Sequence, residues 1–337
     1  MQVWELAAPE GIDSLALRQR PEPEPGHGQV LVRVRAASLN YRDLIIVKGG
    51  YGRGLKLPLV PLSDAAGEVV AVGRGVTRFR PGDRVAPLFM QTWLAGPFRE
   101  AYGASALGGA IEGVAAEMAV FHEDGLVAVP EHLSWEEAAT LPCAALTAWN
   151  ALFAAGGLQP GRTALTMGSG GVSVFALQFA RLAGARVTAT SSSNEKLERL
   201  KELGAEQLVN YRETPDWGRV VREMTGGGVD LVVEVGGAGT LEQSLRAVRA
   251  GGTIALIGVL AGPGTFTPNW IFMKALRVQG IYVGSREMFE QMNRAVAAAG
   301  LRPVIDRVFE FSELPAALRR LESGAHFGKV VVRIGPD

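Results

Sequence analysis

Residues 164–184 read ALTMGSGGVSVFALQFARLAG, and the order of residue types in this stretch decides the fold. ALTM (164–167) is a short apolar run with strand character, and VSVFALQFARLAG (172–184) carries a helical period. Between them Gly168, Gly170 and Ser173 stand in a GxGxxS arrangement. In a strand–turn–helix of this kind the first glycine permits a tight turn, and the second lets backbone approach a pyrophosphate. The third small residue lets the helix pack on the strand, while the opening amides of the helix face the anion. Gly168, Gly170, Gly171 and Val172 are therefore candidate phosphate contacts. A glycine triplet alone is a weak signal and is equally a plain turn, so its surroundings must carry the inference.

Those surroundings repeat the pattern. RVTAT (186–190), NEKLERLKELG (194–204), QLVN (207–210), a helical run after Pro215, VDLVVEV (229–235), TLEQSLRAVRAG (240–251) and TIALIGV (253–259) alternate short apolar runs with longer amphipathic ones. Such alternation demands parallel strands with right-handed helical crossovers, an α/β doubly wound sheet. The loops after its strands, with Gly237, Ile257 and Gly258, are expected to face a bound dinucleotide.

The end of the second strand distinguishes two nucleotides. An acid there accepts hydrogen bonds from a ribose 2′-hydroxyl, but this chain has Thr190-Ser191-Ser192-Ser193 followed by Lys196. Hydroxyls and an ammonium suit a 2′-phosphate, so NADP(H) is expected over NAD(H), with Ser191, Ser192 and Lys196 as contacts. Tyr211, after the third strand, is a further candidate at the ribose edge. The serines also suit capping of the following helix, and both roles are compatible.

Outward from this core, 337 residues exceed what one hydrophobic core usually serves, so two domains are expected. The first 125 residues hold short runs such as VLVRVRAASL (30–39) and GEVVAVG (67–73), punctuated by Pro25-Gly26 and Pro81-Gly82, and read as a β-rich lobe. Ser134 is a plausible N-cap for a buried connecting helix. After about Gly264 come a helical run at 286–299, strand-like VIDRVFEF (304–311), a helix after Ser312 and a final strand FGKVVVRI (327–334).

Composition excludes several functions. Thirty-four basic against 34 acidic side chains, with no basic run, argue against nucleic acid or an anionic membrane as a partner and favour a small molecule. No signal-like start and no apolar stretch of roughly 18 residues give the expectation of a cytoplasmic protein. The single cysteine, Cys143, cannot build a structural zinc cluster alone. His27, His122, His132 and His326 fall in no catalytic pattern.

Seven stretches in order, NYRDL (40–44), PLSDAAGEVVAVG (61–73), RPGDRV (80–85), LPCAALTAWNAL (141–152), GSGGVSVFALQFA (168–180), TSSSNEKL (190–197) and FGKVVV (327–332), resemble the medium-chain dehydrogenase/reductase superfamily. Among its branches the chain is most similar to the zinc-free, zeta-crystallin-like quinone oxidoreductases, nearly end to end. The resemblance implies a GroES-like β-rich lobe over 1–124 completed by 266–337, and a Rossmann NADP-binding domain over 125–265. It also implies a homodimer and an active site in the interlobe cleft.

Zinc-dependent relatives carry a cysteine where Asn40 stands and a histidine where Ser63 stands; only Cys143 coincides with a ligand, so no metal is expected. By resemblance Asn40 lies near the nicotinamide ribose, Thr147 near the nicotinamide amide and Tyr51 at the pocket mouth, while Gly328 and Lys329 touch the cofactor late in the chain. Asn40, Tyr41 and Tyr51 are the candidate catalytic residues, the tyrosines as donors to an enolate oxygen. Arg42 and Asp43 read as structural ion-pair residues, and Phe89, Trp93, Trp270 and Phe272 as pocket walls. The segment 88–109 is a candidate lid or pocket edge.

Without a Lewis acid the accessible substrates delocalise charge themselves, so the expected acceptor is a quinone or enone. Two alternatives stay open: an NADP(H)-dependent alcohol or aldehyde oxidoreductase, and a cofactor-binding protein without turnover, as among lens crystallins.

Overall fold

The computed structural model describes residues 1–50, 55–258, 260, 262 and 264–335. Its contacts divide the chain into two units, Met1–Leu146 with Gly284–Asp337, and Thr147–Val283.

The second unit is the doubly wound sheet that the sequence demands. Its strands, Thr163–Met167, Arg186–Ser191, Gln207–Asn210, Val229–Glu234, Val248–Leu256 and Arg277–Gly280, are all parallel and lie in the order third, second, first, fourth, fifth, sixth. Helices Gly171–Leu182, Asn194–Glu202, Trp217–Met224, Leu241–Ala247 and the short Asn269–Met273 lie in the five crossovers. Leu165, Val232 and Ile254 from the sheet pack with Val221, Leu241 and Leu245 from the helices in one apolar cluster. The strand order reverses beside the first strand, and the carboxyl ends flanking such a switch point are where ligands bind in open α/β sheets. Gly168, Ser191 and Glu234 stand at that edge.

The first unit is built on the long strand Gln29–Ser38. It pairs antiparallel with Asp64–Val72, Met118–His122 and Lys329–Arg333. Val30, Val32 and Val34 alternate into the core and meet Val69, Val85, Val330 and Val332 there. Two further strands, Arg84–Pro87 and Leu126–Ala128, extend one side, and Ile305–Glu310 closes the other by parallel pairing with Lys329–Arg333.

The unit boundaries fall at 146/147 and 283/284 rather than at 124/125 and 265/266. The reason is pairing. Leu126–Ala128 still belongs to the first unit's sheet, and Arg277–Gly280 is the sixth strand of the second. The connecting helix begins as its sequence predicts: the Ser134 hydroxyl accepts from the Glu137 amide (3.2 Å) while the Glu137 carboxylate accepts from the Ser134 amide (2.8 Å). It does not continue as one α-helix. Trp135–Ala139 and Leu146–Trp149 alternate with wide π turns at Leu141–Ala145 and Asn150–Ala154.

At the opposite edge of the parallel sheet, Asp230 ties the fourth strand to the first. Its carboxylate accepts from the Thr163 amide and hydroxyl (2.8 Å each), from Arg162 (2.8 Å) and from Arg249 (2.7 Å). Burial pushes this carboxyl's pKa up, but the Thr163 amide, Arg249, the Thr163 hydroxyl and Arg162 more than offset it and hold it below the usual value of 3.8. A depressed folded pKa means stability that is present above pH 3.8 and lost as pH falls through the lower folded value. Asp230→Asn is expected to cost about 1–3 kcal/mol at pH 7 in urea denaturation, with the gap to the parent chain narrowing below about pH 4.

Candidate functional site

In the first unit, three segments distant in sequence bring charge to one buried point. Asn40 follows the long strand and is the N-cap of helix Tyr41–Val47, with extended backbone (φ −123°, ψ 153°). Its amide donates to the Asp43 carboxylate (2.7 Å), which fixes the entry to the helix. Asp64 opens the neighbouring strand, where it lies opposite Ser38, and Ser63 immediately precedes it. Lys329 opens the strand on the other side, and its Nζ donates to the Leu39 carbonyl and to Asn40 Oδ1, both at 2.6 Å.

An ammonium can only donate, so this contact decides which way the Asn40 amide points. Oδ1 faces Lys329, and Nδ2 donates to Ser63 Oγ (3.4 Å). The Ser63 hydroxyl donates in turn to Asp64 Oδ1 (2.8 Å). Asp64 Oδ2 accepts from the Cys143 amide (3.0 Å). Cys143 lies in the π turn after Pro142, where the wider turn directs its N–H out of the helix and onto the carboxylate. Lys329, Asn40, Ser63 and Asp64 are all buried.

Burial raises the pKa of Asp64, and the Lys329 charge, the Asn40 amide, the Ser63 hydroxyl and the Cys143 amide oppose that rise. Asp43 is pushed up to about 7 by burial, against the pull of the Asn40 amide and the Arg42 guanidinium. Its Oδ1 has no hydrogen-bond partner among the described residues. Burial, and then the Asp64 carboxylate, drive the Cys143 thiol far above its ordinary range.

This donor set does not suit zinc. A tetrahedral site takes thiolate, imidazole and carboxylate ligands. Here two of the three ligand positions hold an amide and a hydroxyl, and a fixed ammonium lies 2.6 Å from the amide oxygen. Among the described residues no group of three or more His, Cys, Asp or Glu is arranged to hold a metal.

The second unit carries the nucleotide candidates. Gly168 has φ +76°, a conformation only glycine adopts freely, and its amide donates to the Thr190 carbonyl (2.8 Å), tying the turn to the second strand. Gly170 caps helix Gly171–Leu182, so Gly171 and Val172 lie in the first turn, whose amides have no intrahelical acceptor. The Ser173 hydroxyl donates to the Met167 carbonyl (2.6 Å), which is how a serine serves in the third glycine's place.

Ser191 is buried and Ser192 and Lys196 are half-buried. The Tyr211 amide donates to the Ser191 carbonyl (3.0 Å), so the third-strand candidate does adjoin the second-strand end, with its ring partly exposed. The Ser193 oxygen accepts from the Lys196 amide (3.2 Å), the capping role foreseen for these serines. Glu213 lies beside this corner, its carboxylate taking the side-chain amides of Asn194 (2.9 Å) and Asn210 (2.8 Å).

Gly237, Ile257 and Gly258 meet. The amides of Ile257 (2.8 Å) and Gly258 (3.0 Å) both donate to the Glu234 carbonyl. A Cβ on Gly258 would lie 2.2 Å from the Gly237 nitrogen, so the two loops touch backbone to backbone. Thr147 is buried at the start of this unit.

Other expectations fare differently. Tyr41 is 42% exposed on the helix after Asn40, and Tyr51 lies outside the described residues, as does Val259 beside Gly258. Gly328 has φ +79°, and a Cβ there would lie 2.3 Å from the Val304 carbonyl oxygen. Arg42 lies over the Phe89 ring (4.6 Å) and donates to the Leu107 carbonyl (2.8 Å), while Asp43 takes the Asn40 amide.

Phe89 and Trp93 are each only 2% exposed, so they are core rather than pocket wall; Trp93 stacks on Tyr102 at 5.9 Å. Trp270 and Phe272 are exposed, Phe272 at 72%. The segment 88–109 is closed on itself by a bridge from Met90 to Ala106, and it is held to its surroundings by the Leu88 amide on the Gly125 carbonyl (2.8 Å) and by the Arg286 and Glu287 amides on the Trp93 and Leu94 carbonyls (3.0 Å each). Sequence reasoning passed over Asp64 and Glu234, although an acid at either end of an apolar strand is a readable signal of a satisfied buried carboxylate.

Known proteins agree with this architecture. Residues 26–131 match the alcohol dehydrogenase GroES-like domain, and residues 171–298 the zinc-binding dehydrogenase family. A zinc-type alcohol dehydrogenase-like protein of Schizosaccharomyces pombe is 48% identical over 91% of both chains. An acryloyl-coenzyme A reductase of Metallosphaera sedula is 30% identical over 90% of this chain and 92% of its own. The solved structure of an NAD-dependent alcohol dehydrogenase, 37% identical, superposes with a TM-score of 0.91 over 99% of this chain and 100% of that one. With both characteristic domains matched and a relative this similar along nearly its whole length, the chain belongs to the medium-chain dehydrogenase/reductase superfamily and is an oxidoreductase of the nicotinamide-binding kind.

Proposed function

We propose that the chain is an NADPH-dependent reductase that delivers hydride to a quinone or an activated alkene without a catalytic metal, in the manner of the zeta-crystallin-like branch. The observation that carries this reading is the Lys329 ammonium at 2.6 Å from Asn40 Oδ1. The positive charge of the site is supplied by the chain itself and faces buried carboxylates, an arrangement unfavourable to a second cation. Substrates that spread developing charge over a conjugated system then need least help.

A bound reduced nicotinamide supplies the hydride. The chain's own residues hold the reactants: Gly168 and the first turn of the following helix cradle a pyrophosphate, and Ser191, Ser192 and Lys196 receive a 2′-phosphate. Lys329 fixes the Asn40 amide, and Tyr41 presents a hydroxyl at the surface. Holding two reactants in contact lowers a barrier by about 7–11 kcal/mol in favourable cases; the hydride leaves negative charge on the acceptor oxygen, and a proton from solvent water neutralises it in a separate step. The acryloyl-coenzyme A reductase relative supports an activated alkene as acceptor. The NAD-dependent alcohol dehydrogenase favours a second reading, alcohol or aldehyde interconversion, for which steady formation of reduced cofactor from simple alcohols is the sign.

A second copy of the chain is the proposed macromolecular partner. Arg277–Gly280 is an edge strand, and Phe272 (72%) and Met273 (68%) precede it with their side chains exposed. An open strand edge beside large exposed apolar groups is a pairing surface.

Three sets of outcomes are expected. After exhaustive chelation, NADPH oxidation by a quinone or enone panel continues at its original rate; loss of turnover that zinc restores rejects the proposal. In the same assay Lys196→Glu raises the KM for NADPH by about tenfold and leaves that for NADH nearly unchanged, as loss of one phosphate contact requires.

The second outcome concerns Asp43. Its folded pKa of about 7 lies above the ordinary 3.8, so the fold binds the proton more tightly and loses stability as pH rises between those values. Asp43→Asn removes that penalty, raising the Tm at pH 8 by the equivalent of up to about 4 kcal/mol and changing little at pH 4. An equal Tm shift at both pH values contradicts the assignment. Third, sedimentation is expected to show a dimer that Phe272→Glu with Met273→Glu converts to monomer.

A further inference from the structure

Glu234 ends the fourth strand with no exposed surface at all. Its Oε1 accepts from the amides of Gly236 (2.8 Å) and Gly237 (3.0 Å) and from the Thr240 hydroxyl (2.7 Å). Its Oε2 accepts from the Ser244 hydroxyl. Among the described residues no lysine or arginine pairs with this carboxylate, so four dipolar donors hold it. Its main-chain oxygen accepts from Ile257 (2.8 Å) and Gly258 (3.0 Å). One residue thus clamps two loops: the side chain holds the one after its own strand, and the carbonyl holds the one after the next strand. The close approach of Gly258 to Gly237 means neither loop can shift without the other.

We propose that Glu234 is a positioning residue of the dinucleotide site, setting the two loops at the carboxyl edge before any ligand arrives. The inference rests on the reading that a nicotinamide dinucleotide binds along that edge. Glu234 does not touch the ligand. It turns the Gly236 and Gly237 amides inward, which fixes the face that these loops present. A loop ordered in advance loses no conformational freedom on binding, so the contribution appears in cofactor affinity rather than in the rate of hydride transfer.

The chemistry of the clamp separates two substitutions. In Glu234→Gln the remaining oxygen keeps the Gly236, Gly237 and Thr240 donors. The new amide donates to Ser244 Oγ, whose hydroxyl already lies 3.5 Å from Met167 Sδ and can turn to it. Glu234→Met has similar length and accepts from none of the four donors.

The full chain and its variants are titrated with NADPH and NADH by fluorescence of the reduced nicotinamide. Tm and the kcat and KM for the acceptor are measured alongside. Glu234→Gln is expected within about twofold of the parent in cofactor affinity, and Glu234→Met about tenfold weaker, with kcat at saturating cofactor within about threefold. A folded Glu234→Met that binds cofactor as the parent does overturns the proposal. So does one that loses kcat with affinity unchanged. Should Glu234→Met not fold, Thr240→Val removes a single donor, with cofactor affinity expected to fall about threefold; unchanged affinity again overturns the proposal. A parent chain that binds neither dinucleotide defeats the underlying reading as well, whereas a parent that binds and a Glu234→Met variant that binds equally defeat only the role of Glu234.

Discussion

The first unit depends on one contact between charge and dipole, the Lys329 ammonium against the Asn40 amide oxygen. Asp64 and Asp43 are carboxylates without access to water, and a buried charge survives only when something nearby answers it. Lys329 answers Asp64 through a relay in which each partner donates to the next, from ammonium to amide, to hydroxyl, to carboxylate. The π turn at Leu141–Ala145 adds one more donor from a third segment. Removing any member leaves its neighbours buried and unsatisfied, so the identity of each residue constrains the others.

The second unit solves a similar problem with neutral groups. Glu234 also lies in a dry interior, but its partners are two amides and two hydroxyls. A cluster of cation and anion fixes one amide's orientation; a cluster of dipoles around a carboxylate fixes a whole loop. Each unit has therefore placed an acid where it organises the main chain around it.

The sequence makes these two clusters unequally legible. The parallel sheet could be read from the alternation of QLVN, VDLVVEV and TIALIGV with amphipathic runs, because each strand and its crossover are neighbours in sequence. The GxGxxS turn was legible for the same reason: its three small residues fall within six positions of a strand that ends at Met167. The Asn40–Lys329 contact spans 289 positions, and no local periodicity encodes it. A resemblance directed attention to both residues but assigned each a contact with the cofactor, not with the other. Phe89 and Trp93 misled for a physical reason: aromatic residues in an irregular segment have the same composition whether they face a ligand or fill a core.

The first unit is assembled from both ends of the chain, since Lys329–Arg333 pairs with Gln29–Ser38, while the second is one uninterrupted stretch. During synthesis, residues 147–283 are therefore complete while Asn40 and Asp64 still lack their counter-ion. The β-rich unit must wait on the ribosome with an open sheet edge and an unanswered carboxylate. Order of folding follows from connectivity: the contiguous sheet can close first, and the discontinuous one closes when residue 329 emerges.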